Sequence, residues 1–404
     1  MKWKLIWPVV FTIALPLVIA YFVYPAHLPP GFGEFPPSYS SQDTPGFSLP
    51  IFMVLALLCG AFAWFLIYPK HFGFKGGTPE PTPSQKAPLP SWFWIGTAMM
   101  LFFWWLQWSH STAFGELVYW AFSPLWWGFI LLLDGIVYRR NNGVSLIHSK
   151  PKTMLIAYLV SIGGWVYFEF YDYFVLGNWY YPQANDAPWS QLVLTIEFLI
   201  TYGTITVVFF EWYSLFKTFP KLPARYQNGP KMKITGNTFI GVGSILIAAM
   251  VIWPYPFFWV VWIGPFAVIS GILVKCNISN TFIDIAEEGD WSGGVLMGLA
   301  SLFNGFVWEF WNYGSTHLGI TTPTNPNYWD YNIPYVDVIF IFSDMPLLGY
   351  FGYIPFGVLV WQTFIWAGNV FGFNTDIELQ PNFEVSSAPA PRSVSRHKSE
   401  HKFG

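Results

Sequence analysis

The sequence predicts an all-α fold: a polytopic transmembrane bundle of about ten helices, in which two tandem four-helix repeats follow an N-terminal helix pair. Three observations point there. Charged residues make up 10% of the chain and hydrophobic ones 54%, whereas a soluble domain carries about a quarter charged residues. The chain holds 24 tryptophans and 22 tyrosines, residues that suit a membrane–water interface. One aromatic–acidic pattern also occurs twice. The first copy is Trp165-Val-Tyr-Phe-Glu169-Phe-Tyr171-Asp172-Tyr173 with Asn178-Trp-Tyr-Tyr-Pro182. The second is Gly305-Phe-Val-Trp308-Glu309-Phe-Trp311-Asn312-Tyr313 with Tyr328-Trp329-Asp-Tyr331-Asn-Ile-Pro334.

The elements follow from hydropathy. Crossing a bilayer takes about 20 apolar residues in a helix. Segments of that kind fall at 4–24, 49–69, 91–108, 117–138, 153–174, 191–216, 235–253, 257–275, 291–313 and 335–371. Lys2 and Lys4 ahead of the first segment imitate a signal peptide, but no small-residue cleavage site follows, so it reads as an anchor. The stretch from 76 to 90, rich in Gly, Pro and Thr, reads as a linker between the helix pair at 1–75 and the first repeat at 91–217. A loop at 218–234 leads to the second repeat at 235–371. The tail at 372–404 is predicted to be disordered and cytoplasmic. The last apolar segment is too long for one straight span. Asp344-Met-Pro346 with Gly349, Gly352 and Pro355 predicts a kinked span, or a span plus a re-entrant piece.

Basic residues set the orientation. Lys2 and Lys4, Lys70 and Lys75, Arg139 to Lys152, Lys217 to Lys233, and Lys275 all fall on one side, which predicts that both termini are cytoplasmic. Within the repeats, Trp94-Ile-Gly96 aligns with Phe239-Ile-Gly241, Pro124 with Pro256, and Asp134-Gly135-Ile with Ser270-Gly271-Ile. Four spans per repeat is an even number, so the repeats cross in the same direction about an axis along the membrane normal, with any central site at their interface.

Residues three and four apart share a helix face, so Trp165, Glu169, Asp172 and Tyr173 form one stripe and Gly305, Glu309, Asn312 and Tyr313 its counterpart. Glu197 and Asp344 enter on the next apolar segment, so four carboxyl groups are expected to converge in the outer half. Carboxylates at bilayer depth cost about 2.5–3.5 kcal/mol on insertion scales, which favours a functional role. A neutral carboxylic acid among aromatic faces is what a proton-initiated carbocation reaction requires, because the rings stabilise the cation. The candidate acids are therefore Glu169, Glu309, Glu197 and Asp344, and the candidate pocket wall is Trp165, Tyr173, Trp308, Trp311, Asn312, Tyr313 and Tyr350. The same residues also fit interfacial anchoring and hydrogen-bonded helix packing.

Other classes are disfavoured. No basic stripe suits nucleic acid. The seven histidines are scattered and no metal or cofactor ligand set is visible, with His110 and His317 reading as solvated outer residues. Asp134 and Glu211 read as local pairs at the cytoplasmic boundary, the latter with Lys217. Cys59 and Cys276 lie too far apart in the topology for a disulfide.

At Trp308-Glu-Phe-Trp-Asn-Tyr313, Trp329-Asp-Tyr331, Pro334 and Asp344-Met-Pro-Leu-Leu-Gly-Tyr350, the chain resembles a family of uncharacterised prokaryotic polytopic membrane proteins. In that family the acid before Met-Pro-Leu-Leu-Gly-Tyr is usually Glu, where this chain has Asp344. Pro124-Leu-Trp-Trp-Gly128, Asp134 and Asn178-Trp-Tyr-Tyr181 fit the same resemblance, which covers roughly 95 to 370 and implies no activity. More distantly, a tandem unit with Trp-x-Tyr and an acid heading the next helix resembles the lycopene-cyclase membrane domains. This chain has Thr195-Ile-Glu197 and Ser343-Asp344-Met-Pro346 in place of their Pro-x-Glu-Glu. The expectation is a membrane-lipid environment and an apolar, isoprenoid-like small molecule bound or converted by acid catalysis. A proton-coupled permease and a structural subunit of a larger complex are the alternatives.

Overall fold

The computed structural model describes residues 2–38, 40, 44–316 and 323–383, which are mostly helical (65% helix, 2% strand). Among them, ten helices exceed three turns: α1 (Lys2–Val23), α2 (Leu49–Ile67), α3 (Ser91–Ser109), α4 (Phe122–Arg140), α5 (Pro151–Asp172), α6 (Gln191–Lys217), α7 (Gly236–Ile252), α8 (Val260–Lys275), α9 (Ser292–Tyr313) and α10 (Tyr353–Phe371). Each apolar segment read from the sequence thus contains one helix. Six of them, α1, α2, α5, α6, α9 and α10, are long and apolar enough to cross a membrane. The 3-10 turn Thr112–Trp120 and α4 form a seventh candidate bent by 70°, and α7 and α8 are apolar but shorter.

The segment expected as one long span at 335–371 is helical only in its second half. Residues 335–346 form an irregular loop, a 3-10 turn covers Leu347–Gly352, and α10 starts at Tyr353. Pro346, in extended backbone, caps the turn: a residue held at φ near −65° and lacking an N–H cannot continue a helix upstream of it.

Helix α3 packs along α4, and α7 along α8, with backbones in contact. A Cβ on Gly96 would lie 2.7 Å from the Gly128 carbonyl, and one on Gly243 would lie 2.8 Å from that of Gly264. Small residues at such crossings let helices approach where lipid offers no hydrophobic drive. Gly236 and Gly271 make a further backbone contact in the α7–α8 pair, while Gly241, aligned with Gly96 in the sequence, has no atom within 4 Å of its Cβ position. Phe93 against Gly135 and Phe239 against Gly271 repeat a second contact. In both halves the second helix of the pair then packs on the fourth helix and the third packs on the fourth: α4 on α6 and α5 on α6, then α8 on α10 and α9 on α10. Helix α6 also packs on α9 across the halves. Helix α1 lies against α7, α8 and α10, fixed by Trp366 Nε1 donating to the Leu5 carbonyl (2.9 Å) and by Tyr171 OH donating to the Thr12 carbonyl (2.8 Å). Helix α2 buries no residue.

The basic loops gather at one end. Lys75 N donates to Asn228 O, Trp291 N to Tyr226 O, and Gly229 N to Gly289 O. The start of the tail docks there too: Asp376 pairs with Lys150 (2.6 Å) and Glu378 with Lys217 (3.2 Å), and Ile377 is buried. Disorder from 372, expected on composition, therefore does not hold for 372–383, because these two ion pairs and a buried isoleucine tie the backbone down; the Ser/Ala/Pro-rich remainder lies outside the described residues. At the same end the helical turn Thr281–Glu287 carries Asp284. Burial, then the neighbouring Asp290, Glu288 and Glu287 carboxylates, push the Asp284 carboxyl up to about 6. A raised acid favours the protonated form in the fold, so its charge costs stability above about pH 6 and that cost is gone below about pH 4. Asp284→Asn is expected to raise the thermal midpoint of the detergent-solubilised protein at neutral pH and to leave it unchanged at about pH 4. Equal midpoints at neutral pH would refute this.

Candidate functional site: two carboxyl–tyrosine clusters around one chamber

The opposite end holds the acids. Glu169 lies one turn before the end of α5 and is buried. Its Oε1 accepts three bonds: Trp165 Nε1 (2.7 Å), one turn back on the same face, Tyr181 OH (2.7 Å), and Tyr202 OH (2.9 Å) from α6. Glu309 sits one turn before the end of α9, also buried. Its Oε1 accepts from Tyr331 OH (2.6 Å) and from Tyr353 OH (2.8 Å) at the start of α10. Trp329 Nε1 donates to the Tyr331 hydroxyl (2.7 Å), so an indole backs this cluster as well. In both clusters Oε2 is buried and has no hydrogen-bond partner among the described residues, and the tyrosines, not the glutamates, face the chamber between the clusters.

A two-residue ladder joins the clusters. Strands β1 (Trp179–Tyr180) and β2 (Asp330–Tyr331) pair antiparallel, Trp179 with Tyr331 and Tyr180 with Asp330, and Tyr180 OH donates to Asp330 Oδ2 (2.9 Å). Each strand is tied to the helix before it. Asp172 Oδ1 accepts from Asn178 N (2.9 Å). Asn312 takes Trp329 N on Oδ1 (3.2 Å) and gives Nδ2 to the Trp329 carbonyl (2.7 Å). The Asp172/Asn312 position is thus a clamp on the loop that delivers the tyrosine.

Between the clusters lies a chamber of about 100 Å³ walled by Trp165, Tyr181, Tyr202, Trp308, Trp329, Tyr331 and Tyr353, with Trp179 and Trp262 beside them. Thr201 and Asn327 also line it, and both hold Glu197: Oε1 accepts from Ser123 (3.0 Å) and Thr201 (3.1 Å), Oε2 from Asn327 Nδ2 (2.5 Å). Hydrogen-bond partners of three buried acids therefore converge on one aromatic space. Glu197 differs from the other two in having both oxygens partnered.

The remaining candidates fall elsewhere. Asp344 is half-buried in the irregular loop, accepts from Tyr328 OH (3.0 Å), and does not line the chamber. It departs from the expected place on a helix because the segment before Pro346 is not helical. Tyr173 turns away to donate to the Glu34 carbonyl. Trp311 packs edge-on against Trp126 (4.7 Å) and Phe129 (5.2 Å), tying α9 to α4. Tyr350 stacks on Phe306 (4.6 Å), and Tyr313 meets Phe342. His110, expected to be solvated, is buried and bonded to Thr324 Oγ1 (2.6 Å) and the Gly314 carbonyl (3.2 Å). His317 lies outside the described residues.

Two further acids also depart from their expected pairing. Asp134 is fully buried and takes Trp92 Nε1 (2.9 Å), Ser145 Oγ (2.9 Å) and Ile147 N (2.8 Å). Glu211 is buried beside it, while Lys217 reaches Glu378 instead. One turn and a half of α6 separates Glu211 from Lys217, and the docked tail supplies the lysine with a nearer, wetter partner. Cys59 and Cys276 are free.

The tyrosines are what sequence reasoning missed. Trp179-x-Tyr181 and Trp329-x-Tyr331 repeat in the sequence, but their distances from the acids differ, 12 residues in one half and 22 in the other, which hid their common role. No protein-family model, curated protein or solved structure matches the chain.

Proposed function

We propose that the chain is an integral membrane protein of the prokaryotic cell membrane whose chamber binds an apolar, isoprenoid-like lipid and converts it by acid catalysis. In this reading Glu309 or Glu169 gives the proton on Oε2 to an alkene carbon. A C–H bond forms, the π bond is lost, and the adjacent carbon becomes a cation facing the indole and phenol rings. Loss of a proton from a neighbouring carbon to a carboxylate restores an alkene and the acid, so the net change is an isomerisation or ring closure without any co-reactant. The observation that carries the reading is the pair of clusters: two buried carboxyls, each held on one oxygen by tyrosines that line one aromatic chamber.

The same reading takes the ten helices as spans, both termini on the cytoplasmic side, and 91–217 and 235–371 as repeats about an axis along the membrane normal. The matched helix pairings and the matched clusters support the repeat, and the gathering of basic loops at one end supports the orientation.

A second reading, proton-coupled transport, is favoured by one observation: the buried Asp134–Glu211 contact at the other end of α6 from Glu197, with Thr201 and Thr204 between them. Mass spectrometry of lipids co-purified in mild detergent tests the first reading. A specific isoprenoid or other apolar small molecule is the expected result. Bulk phospholipid alone, with pH-dependent flux in reconstituted vesicles, would replace it with the second.

A further inference from the structure

On the side of α2 a second, larger cavity of about 230 Å³ adjoins the aromatic chamber, and Trp165, Trp179, Trp262, Tyr331, Met345 and Tyr353 line both. Its far end is walled by Leu55 and Cys59 of α2, Ile263 of α8, and Leu348 and Pro355 at the foot of α10. That far lining is hydrocarbon apart from one thiol. The wall itself is thin: α2 buries no residue, and Leu57 and Leu58 beside the lining residues are 69% and 62% exposed. Its contacts with the bundle here are to the 3-10 turn Leu347–Gly352, whose bonds are poorer than those of an α-helix.

Resting on the proposed lipid reading, we infer that this cavity is the tail chamber and bilayer portal for a single-chain amphiphile, entered sideways between α2 and the Leu347–Gly352 turn. The two ends of the space fix the ligand class. The inner end offers the phenols of Tyr181, Tyr202, Tyr331 and Tyr353, each bonded to a buried glutamate behind it, which suit a small head or a double bond. The outer end offers only apolar surface, worth about 25 cal/mol per Å² of chain removed from water but little relative to lipid, so shape rather than drive selects the chain there. A cavity of about 230 Å³ has room for one slender chain rather than the two of a phospholipid. An extended isoprenoid would lie with its reactive end among the chamber's phenols and its tail against Leu55 and Cys59.

The test uses the full chain in nanodiscs with two photoreactive isoprenols, one long and carrying the diazirine at its tail, one short. The long probe is expected to label Leu55, Cys59 and Ile263 when adducts are assigned residue by residue, and unlabelled long isoprenol at roughly ten times its dissociation constant should cut that labelling about tenfold. Ile263→Trp, which fills the outer end, should remove the long-probe adduct and spare labelling of Trp165 or Trp329 by the short one. Protection of Cys59, but not Cys276, from a maleimide by the long isoprenol reads the same site in wild type should the variant not fold. Labelling confined to lipid-facing Leu57 and Leu58, or unaffected by competitor, overturns the portal while short-probe labelling keeps the acid-site reading. Absence of any short-probe adduct in the inner chamber overturns both.

Discussion

Glu309→Gln is expected to keep the fold and ligand binding while cutting conversion of the bound lipid by roughly two to four orders of magnitude, the usual contribution of a positioned acid. Glutamine preserves an acceptor oxygen for Tyr331 and Tyr353, so the cluster geometry that depends on Oε1 survives, but it has no proton to give from the Oε2 position. Glu309→Leu is the contrasting variant. It leaves two buried phenol hydroxyls without their acceptor, at roughly 1–3 kcal/mol each, and is expected to lower the thermal midpoint as well as abolish conversion. Product analysis by mass spectrometry on the co-purified lipid, beside thermal unfolding of each variant, separates the two effects. Conversion by Glu309→Gln at the wild-type rate would remove acid chemistry from the site and leave it a binding chamber. Glu169→Gln should behave in the same way if both clusters act, and as wild type if only one does.

The largest effect on folding is expected at Gly128. Its Cβ position lies 2.5 Å from the Met100 backbone nitrogen and 2.8 Å from the Gly96 carbonyl, so any side chain must push α3 off α4 and cannot be relieved by a rotamer change. Overpacking against side chains costs about 1–3 kcal/mol, and backbone contacts cost more. Gly128→Leu should therefore give aggregated or destabilised protein by size-exclusion chromatography and thermal unfolding. Gly241→Leu, on a helix face with nothing within 4 Å, is expected to behave as wild type. A monodisperse Gly128→Leu protein with an unchanged midpoint would mean that the two helices are not held at backbone contact.

These two sites mark the division between pattern and packing. Hydropathy alone located a helix in each of the ten apolar segments, because a long run of apolar residues in lipid has to close its own backbone hydrogen bonds. The duplicated motif located Glu169 and Glu309, and with them Trp165 and Trp308, because the chemistry and the spacing repeat together. The motif could not say which stripe residues face inward. Asn312 and Asp172 hold the following loops, Trp311 and Tyr350 brace helices, and Tyr173 faces the loop after α1. A helix stripe about 100° wide contains all of these directions, and only the neighbouring helix chooses among them.

What the sequence determined by itself was the helical class and the apolar, span-length helices, which depend on local composition and periodicity. Tertiary structure decided the rest. It placed Asp344 off the chamber, since a proline cap ends the helical path that would have carried it inward. It brought Gly96 onto Gly128 and Gly243 onto Gly264, and left Gly241 clear of contact, since close approach depends on how two helices cross. It also brought tyrosines at unequal sequence distances onto equivalent carboxyl oxygens, a match that a two-residue ladder and an asparagine clamp enforce and no spacing rule reveals.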